Sequence, residues 1–259
     1  MGQLIAIVSQ KGGVGKTSTA VNLGACISAI RKRVLLVGLD PQGGLEHCFG
    51  LDPSSTLVGL LDVLRDGVSP LDAIHATHPR LPRLDLLPGR VHNSEEESQY
   101  LGILTKNRRA LVDVMGALRE GYDFIFLDCP SRLDEPTLSA LAAADSYLVP
   151  IQCEYASMGT VGRVLRTALE VKRRTNKTLN IFGFLLTMAD KRAPFTPSVI
   201  QEVRQYLKGR IFKTIVPRDP TLAEVPQRRA PAIAFDIKSP GAKAYIMLAR
   251  EILGGSSDT

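Results

Sequence analysis

Residues 4–25, "LIAIVSQKGGVGKTSTAVNLGA", hold a short apolar run, a glycine-rich loop and a segment with helical spacing of Ala20, Leu23 and Ala25. Strand, loop and helix follow one another within about twenty residues, which is the opening of an α/β unit. The loop comes close to the phosphate-binding pattern G-x-x-x-x-G-K-[ST] and departs from it at one place. With Gly15-Lys16-Thr17 as its end, the first glycine belongs at position 10, where the chain has Gln10, followed at once by Lys11.

The chemistry of such a loop is nevertheless complete. Gly12, Gly13 and Gly15, with Val14 between them, let backbone N–H groups turn inward around phosphate oxygens. Lys16 supplies a positive charge for the terminal phosphates, and Thr17 places a hydroxyl where Mg2+ sits, with Ser18 next on the helix. The helix that starts here adds its positive dipole end. The loop therefore predicts a nucleotide site.

Further apolar runs occur at residues 34–39, 84–87, 124–127, 147–151, 181–188 and 211–216, each bounded by turn residues. Segments of helical periodicity, such as 160–171 and 198–207, separate most of them. Continuously apolar strands alternating with helices predict an α/β fold, a mostly parallel twisted sheet flanked by helices on both faces. Ligands of such folds gather at the carboxyl ends of the strands. Ser9, Asp40, Asp128 and Met188 all stand at or just beyond such ends. Asp128, closing "YDFIFLDCP", has the form of the aspartate that partners a phosphate loop through a metal. Asp40 is read as a residue that orients the attacking water or joins the metal's outer shell, the alternative being an Asp-Pro turn whose carboxylate caps the backbone.

Residues 52–100 carry five prolines and the acidic run Glu95-Glu96-Glu97. They read as short helices and loops around one strand, the acids forming the first turn of a helix, where negative charge is favoured. At 259 residues with 44% hydrophobic content the chain builds one domain, 1–259, with 254–259 as a flexible tail. No apolar run reaches the roughly 18 residues that span a bilayer, so a cytoplasmic protein is expected. The four cysteines, Cys26, Cys48, Cys129 and Cys153, lie far apart with no C-x-x-C pair, and read as buried reduced thiols. Charge is uneven: residues 1–130 carry 13 Lys+Arg against 14 Asp+Glu, whereas residues 131–259 carry 19 against 12. A basic second half points to a polyanion partner or to a solvated basic surface.

These residues together resemble a known family. "KGGVGKTST" is similar to the deviant Walker A loop of the ParA/MinD group of P-loop ATPases, in which the extra lysine, here Lys11, is the signature residue. "LDPQGG", "DFIFLDCP", "VPIQCEY", "IFKTIVPRDPTLAEVPQ" and "DIKSPGAKAYIMLAREIL" resemble the Soj-type chromosome and plasmid partition ATPases, and the likeness runs from residue 4 to residue 253. The resemblance implies a homodimer closed by ATP, with Lys11 of each subunit facing outward to the phosphates of the other. Lys16, Thr17, Asp128 and Mg2+ would hold the nucleotide in cis, and Asp40 would serve hydrolysis to ADP. Met188, Pro217 and Arg218 would contact adenine. It also implies non-specific binding of double-stranded DNA, with Arg192, Arg204, Lys208, Arg210, Lys213, Arg228, Arg229, Lys238 and Lys243 as candidates. A ParB-like partner would stimulate hydrolysis, and the protein would be associated with the nucleoid.

Two departures fall in the switch segments. Gly44, followed by Leu45-Glu46-His47, stands where the family usually has Asn, and Ser131-Arg132-Leu133-Asp134 replaces its usual "PSLG". Alternative readings are a MinD-like positioning ATPase, which would need a basic amphipathic membrane helix at its end, and a nucleotide-switched DNA scaffold with little turnover. Cluster-bearing relatives need ligating cysteines, and Cys129 and Cys153 form no such pair. A guanine-reading role for Asp190 in "TMAD" lacks the usual preceding Asn-Lys. The three residues before Leu4 leave no room for the helix-turn-helix domain of longer plasmid-type relatives.

Overall fold

A computed structural model describes residues 2–51, 57–154, 157–190, 192–207 and 209–254. The chain runs β1 (Gln3–Ile7), α1 (Lys16–Ala29), β2 (Val34–Gly38), α2 (Gly44–Phe49), α3 (Leu60–Asp66), β3 (His75–Ala76), β4 (Leu84–Leu87), α4 (Ser94–Lys106) and α5 (Ala110–Leu118). After a 3-10 turn come β5 (Phe124–Asp128), α6 (Glu135–Ala143), β6 (Ser146–Gln152), α7 (Ser157–Arg174), β7 (Asn180–Ala189), α8 (Thr196–Leu207) and β8 (Ile211–Pro217). Three one-turn helices, α9 (Pro220–Ala223), α10 (Val225–Arg228) and α11 (Ala232–Phe235), lead into α12 (Pro240–Gly254).

The strands form one eight-stranded sheet in the order β3-β4-β2-β5-β1-β6-β7-β8, parallel throughout except for β3 against β4. Side chains alternate between faces, so each strand feeds two apolar layers. Leu4, Ala6, Leu35, Val37, Ile125 and Leu127 enter one layer, closed by residues of α3 to α8. Ile5, Ile7, Val34, Leu36, Phe124 and Phe126 enter the other, closed by α1, α2 and the helices that follow β8. Both faces being covered explains why the strands read as unbroken apolar runs.

The short antiparallel β3 is a second strand within the 52–100 stretch, where one was expected; residues 52–56 of that stretch lie outside those described. Its two residues cannot display a period. The acidic run does open a helix: Asn93 caps α4 by accepting from the Glu96 N–H at 2.9 Å, and Glu95, Glu96 and Glu97 fill the first turn. All four cysteines are buried and free.

Register places the site. Asp128 at the end of β5 lies opposite Ile7 of β1 and Gly38 of β2. The Leu39 N–H donates to the Asp128 carbonyl at 3.0 Å, and the Cys129 N–H to the Ile7 carbonyl. The loops following β1, β2 and β5 therefore leave the sheet side by side, at the point where β1 sends its connection across β5 to β2.

Candidate functional site

The loop between β1 and α1 is shaped by backbone conformations that need glycine. Gly13 (φ 71°) and Gly15 (φ 91°) occupy the left-handed region, and Gly15 is the N-cap of α1. No side chain caps that end and no acid sits in the first turn, so its N–H groups face the loop's interior uncompensated. Behind the loop, Thr187 of β7 donates its hydroxyl to the Val14 carbonyl at 2.9 Å. Asn22 pins α1 further along, donating to the Ser18 carbonyl and accepting from the Ala232 N–H.

Lys16 is only 6% exposed. Burial lowers its ammonium pKa, while the nearby carboxylates of Asp128 and Asp40 act in the opposite sense. Its Nζ donates to Ser131 Oγ at 2.6 Å. Thr17 donates its hydroxyl to Asp128 Oδ2 at 2.7 Å. Asp128 Oδ1 is buried without any hydrogen-bond partner, and burial pushes this carboxyl up to about 7, against the Thr17 hydrogen bond and the Lys16 charge, which pull it down. A hydroxyl and an orphaned carboxylate oxygen side by side fit a hard divalent cation that takes most of its other ligands from water and phosphate. Among the described residues no group of three His, Cys, Asp or Glu side chains could hold a metal unaided.

Asp40 stands two residues past β2, close enough to act on the charges of Lys16 and Asp128. Its Oδ1 accepts from the Gln42 N–H at 3.1 Å, a turn cap that leaves Oδ2 without a side-chain or backbone partner among the described residues. It lines two cavities, one of about 510 Å³ with Glu46, His47 and Arg90, and one of about 240 Å³ with Gln42, Ser131 and Asp134. The following helix α2 holds the buried Glu46, which accepts from the Gly89 N–H at 2.7 Å. Leu45, Cys48 and Phe49 of α2 share an apolar layer with Val225 of α10. Gly50, left-handed at φ 68°, ends α2 so close to Arg229 that a Cβ there would collide with the arginine Cδ.

Lys11 stands near the end of β6. In the single chain its Nζ bonds Glu154 Oε2 at 2.6 Å, just past β6. Gln152 donates to the other oxygen of Glu154 at 2.5 Å. Gln10, in the place of the missing glycine, accepts from Arg163 of α7. Sequence reasoning missed Glu154 although it lies inside the quoted "VPIQCEY"; the only signal was a lone acid directly after an apolar strand.

Gly15 and Ser18 line a cavity of about 180 Å³ together with Met188, Pro217 and Arg218. Asp219, Leu222 and Tyr245 complete it. Met188 is left-handed at φ 53°, rare for a side chain of its size, and the Arg218 N–H donates to the Ala189 carbonyl at 3.0 Å, tying the ends of β7 and β8. The three residues expected to contact a base are thus brought together beside the phosphate loop.

The described basic candidates are all exposed and fall in two strips. Arg192, Arg204, Arg210 and Lys213 lie along the β7–α8–β8 edge, and Arg228, Arg229, Lys238 and Lys243 along α10 to α12. Lys208 lies outside the described residues. Arg192 pairs with Asp190, and Arg228 with Glu224 and the Phe235 ring, so these two are partly neutralised at home.

Residues 2–181 match the family model described as an AAA domain. The chain is 39% identical over 252 residues to the sporulation initiation inhibitor protein Soj of Bacillus subtilis, covering 97% of this chain and 98% of that one. Among solved structures it resembles cobyrinic acid a,c-diamide synthase from Mycobacterium smegmatis with bound ATP analogue and magnesium, at 32% identity and a TM-score of 0.83 over 100% of this chain and 97% of that one. It also resembles the cell division ATPase MinD of Pyrococcus furiosus, at 30% identity and a TM-score of 0.77 over 98% of this chain and 99% of that one.

Proposed function

The chain belongs to the ParA/Soj-type family of P-loop ATPases, and from that premise we propose that it is an ATP-switched, Mg2+-dependent homodimer that binds double-stranded DNA non-specifically and segregates chromosome or plasmid DNA. The observation that carries the nucleotide chemistry is the meeting, at one rim of the sheet, of the glycine loop, buried Lys16 and the Thr17–Asp128 pair. Gly12 to Ser18 would hold the phosphates, and Met188, Pro217 and Arg218 the adenine. Thr17 and Asp128 would hold Mg2+, with Asp40 in its outer shell. The cation, when bound, neutralises charge on the phosphate oxygens.

Within that frame Lys16 balances the β- and γ-phosphate charge from a dry position, where an ammonium acts most strongly. Asp40 orients the attacking water from the mouth of the site. Lys11, set free from Glu154, reaches the nucleotide of the second subunit, so closure depends on the γ-phosphate. Loss of that phosphate reopens the pair.

DNA binding rests on the basic second half and on the exposure of both strips, since phosphate contacts require only positive charge on one surface. A ParB-like protein is the proposed stimulator, and the proposed location is cytoplasmic, on the nucleoid. No described helix is long and apolar enough to cross a membrane, and liposome sedimentation separates this reading from a MinD-like one. The deciding experiment measures ATPase rate with and without DNA, alongside DNA affinity in ADP and in ATP. Tight binding only with ATP is expected; equal binding without nucleotide overturns the switch.

A further inference from the structure

Ser131 stands three residues beyond Asp128, and its hydroxyl is the group that Lys16 Nζ contacts, at 2.6 Å. That bond uses one lone pair of the serine oxygen. The hydroxyl's own proton has no acceptor among the described residues, and two of the three ammonium donors of Lys16 remain for other oxygens.

Position says which oxygens those are. The base cavity abuts Gly15 and Ser18, at the helix end of the loop. Ser131 lies at the opposite end: a Cβ on Gly12 would come to 3.8 Å from its Oγ, and it shares the 240 Å³ cavity with Asp40 and Gln42. A nucleotide whose base lies against Met188 and Pro217 and whose phosphates follow the loop past Lys16 ends its chain beside Ser131.

We infer that Ser131 contacts the terminal phosphate of ATP, accepting from Lys16 while donating its O–H to a γ-phosphoryl oxygen. It thereby tells triphosphate from diphosphate. The inference rests on the nucleotide-binding reading above and adds to it a specificity-determining side chain supplied by the segment after β5. Because Ser131 leads directly into α6, through Arg132, whose carbonyl accepts from Thr137 at 2.6 Å, the same contact ties the terminal phosphate to that helix.

The test compares dissociation constants of a non-hydrolysable ATP analogue and of ADP, each with Mg2+, for the full chain and for Ser131→Ala and Ser131→Thr. Loss of one hydrogen bond to a charged oxygen predicts about tenfold weaker analogue binding in Ser131→Ala. ADP affinity should stay within about twofold, which also reports that the variant is folded, and Ser131→Thr should regain most of the loss. Equal weakening of both nucleotides, or an unchanged ratio between them, overturns the assignment. If the unaltered chain binds neither nucleotide, the ATPase reading falls together with it, and that result is distinguishable from the other two.

Discussion

Thr17 and Asp128, 111 residues apart, are joined by a 2.7 Å hydrogen bond that only the parallel register of β1 and β5 makes possible. The bond satisfies one oxygen of a fully buried carboxyl and leaves the other orphaned. Asp128 therefore sits in its place at a cost to the fold, which the proposed Mg2+ role would account for.

The first prediction follows from that cost. Burial raises the folded pKa of Asp128 to about 7 from an ordinary value near 4, so between those pH values the native state binds more protons than the unfolded one. Stability from this group accordingly falls as pH rises from about 4 to 7, and the whole cost is present above 7. Asp128→Asn at pH 8 without Mg2+ should gain about 1–3 kcal/mol, a rise of several degrees in Tm, and lose ATP hydrolysis. Differential scanning calorimetry with a parallel ATPase assay checks both signs; a lowered Tm would contradict the account.

Lys11 and Glu154 form a half-exposed pair, a class worth roughly 0.2–1 kcal/mol. Such a pair is a modest brake on anything else that needs the lysine. Lys11→Ala should keep ATP binding and lose ATP-dependent dimerisation, whereas Glu154→Gln, which frees one lysine in each of two subunits, should dimerise at up to about thirtyfold lower concentration. Light scattering with a non-hydrolysable analogue measures both; unchanged dimerisation of Lys11→Ala would remove the trans role.

For Asp40 the expected signature is a separation of binding from turnover. Asp40→Ala should hold Mg2+-nucleotide within a few-fold while hydrolysis drops by about 100-fold, the usual reach of a positioned acid or base. Its side chain also caps a turn through Gln42, so Asp40→Asn, which keeps an accepting oxygen, separates the two contributions. Single-turnover hydrolysis is the measurement, and an Asn variant as active as the unaltered chain would assign Asp40 to the turn alone.

The basic strips make a prediction about salt. Arg204→Glu combined with Lys213→Glu, on the edge strip, should weaken ATP-dependent DNA binding at least tenfold and flatten the plot of log affinity against log salt by about one unit for each phosphate that is no longer neutralised. ATP affinity should be unaffected, since neither side chain lines the base cavity. An unchanged salt slope would move the interface to the strip along α10 to α12.

Much of this architecture is readable before folding, because strands buried on both faces announce themselves as apolar runs. The run at residues 84–87 coincides with β4, and those near 124 and 181 lengthen by only one or two residues. Lys16, Thr17 and Asp128 carry motif spacing, and they do converge. What escaped were relationships that depend on which strands are neighbours. Glu154 finds Lys11 because β6 lies next to β1, a pairing no local pattern encodes. Ser131 stood out only as a departure from the family's usual segment, and its hydroxyl acquires a meaning once β5 delivers it to Lys16. The two-residue β3 is too short for any period to mark it.

The close approach at Gly50 joins two regions otherwise treated apart. A side chain of ordinary size at this position would collide with Arg229, and apolar packing welds the rest of α2 to α10. Closely packed interfaces of this kind slide as units or repack wholesale, because they have little room to yield gradually. On the proposed switch, the segment that begins at Asp40 and the cations of the second strip would work like a lever and its load. In the ATP-switched reading proposed above, a movement of the turn beside the phosphates would be passed through this packing to Arg228 and Arg229, and a polyanion held by those arginines would bias the turn by the same free energy.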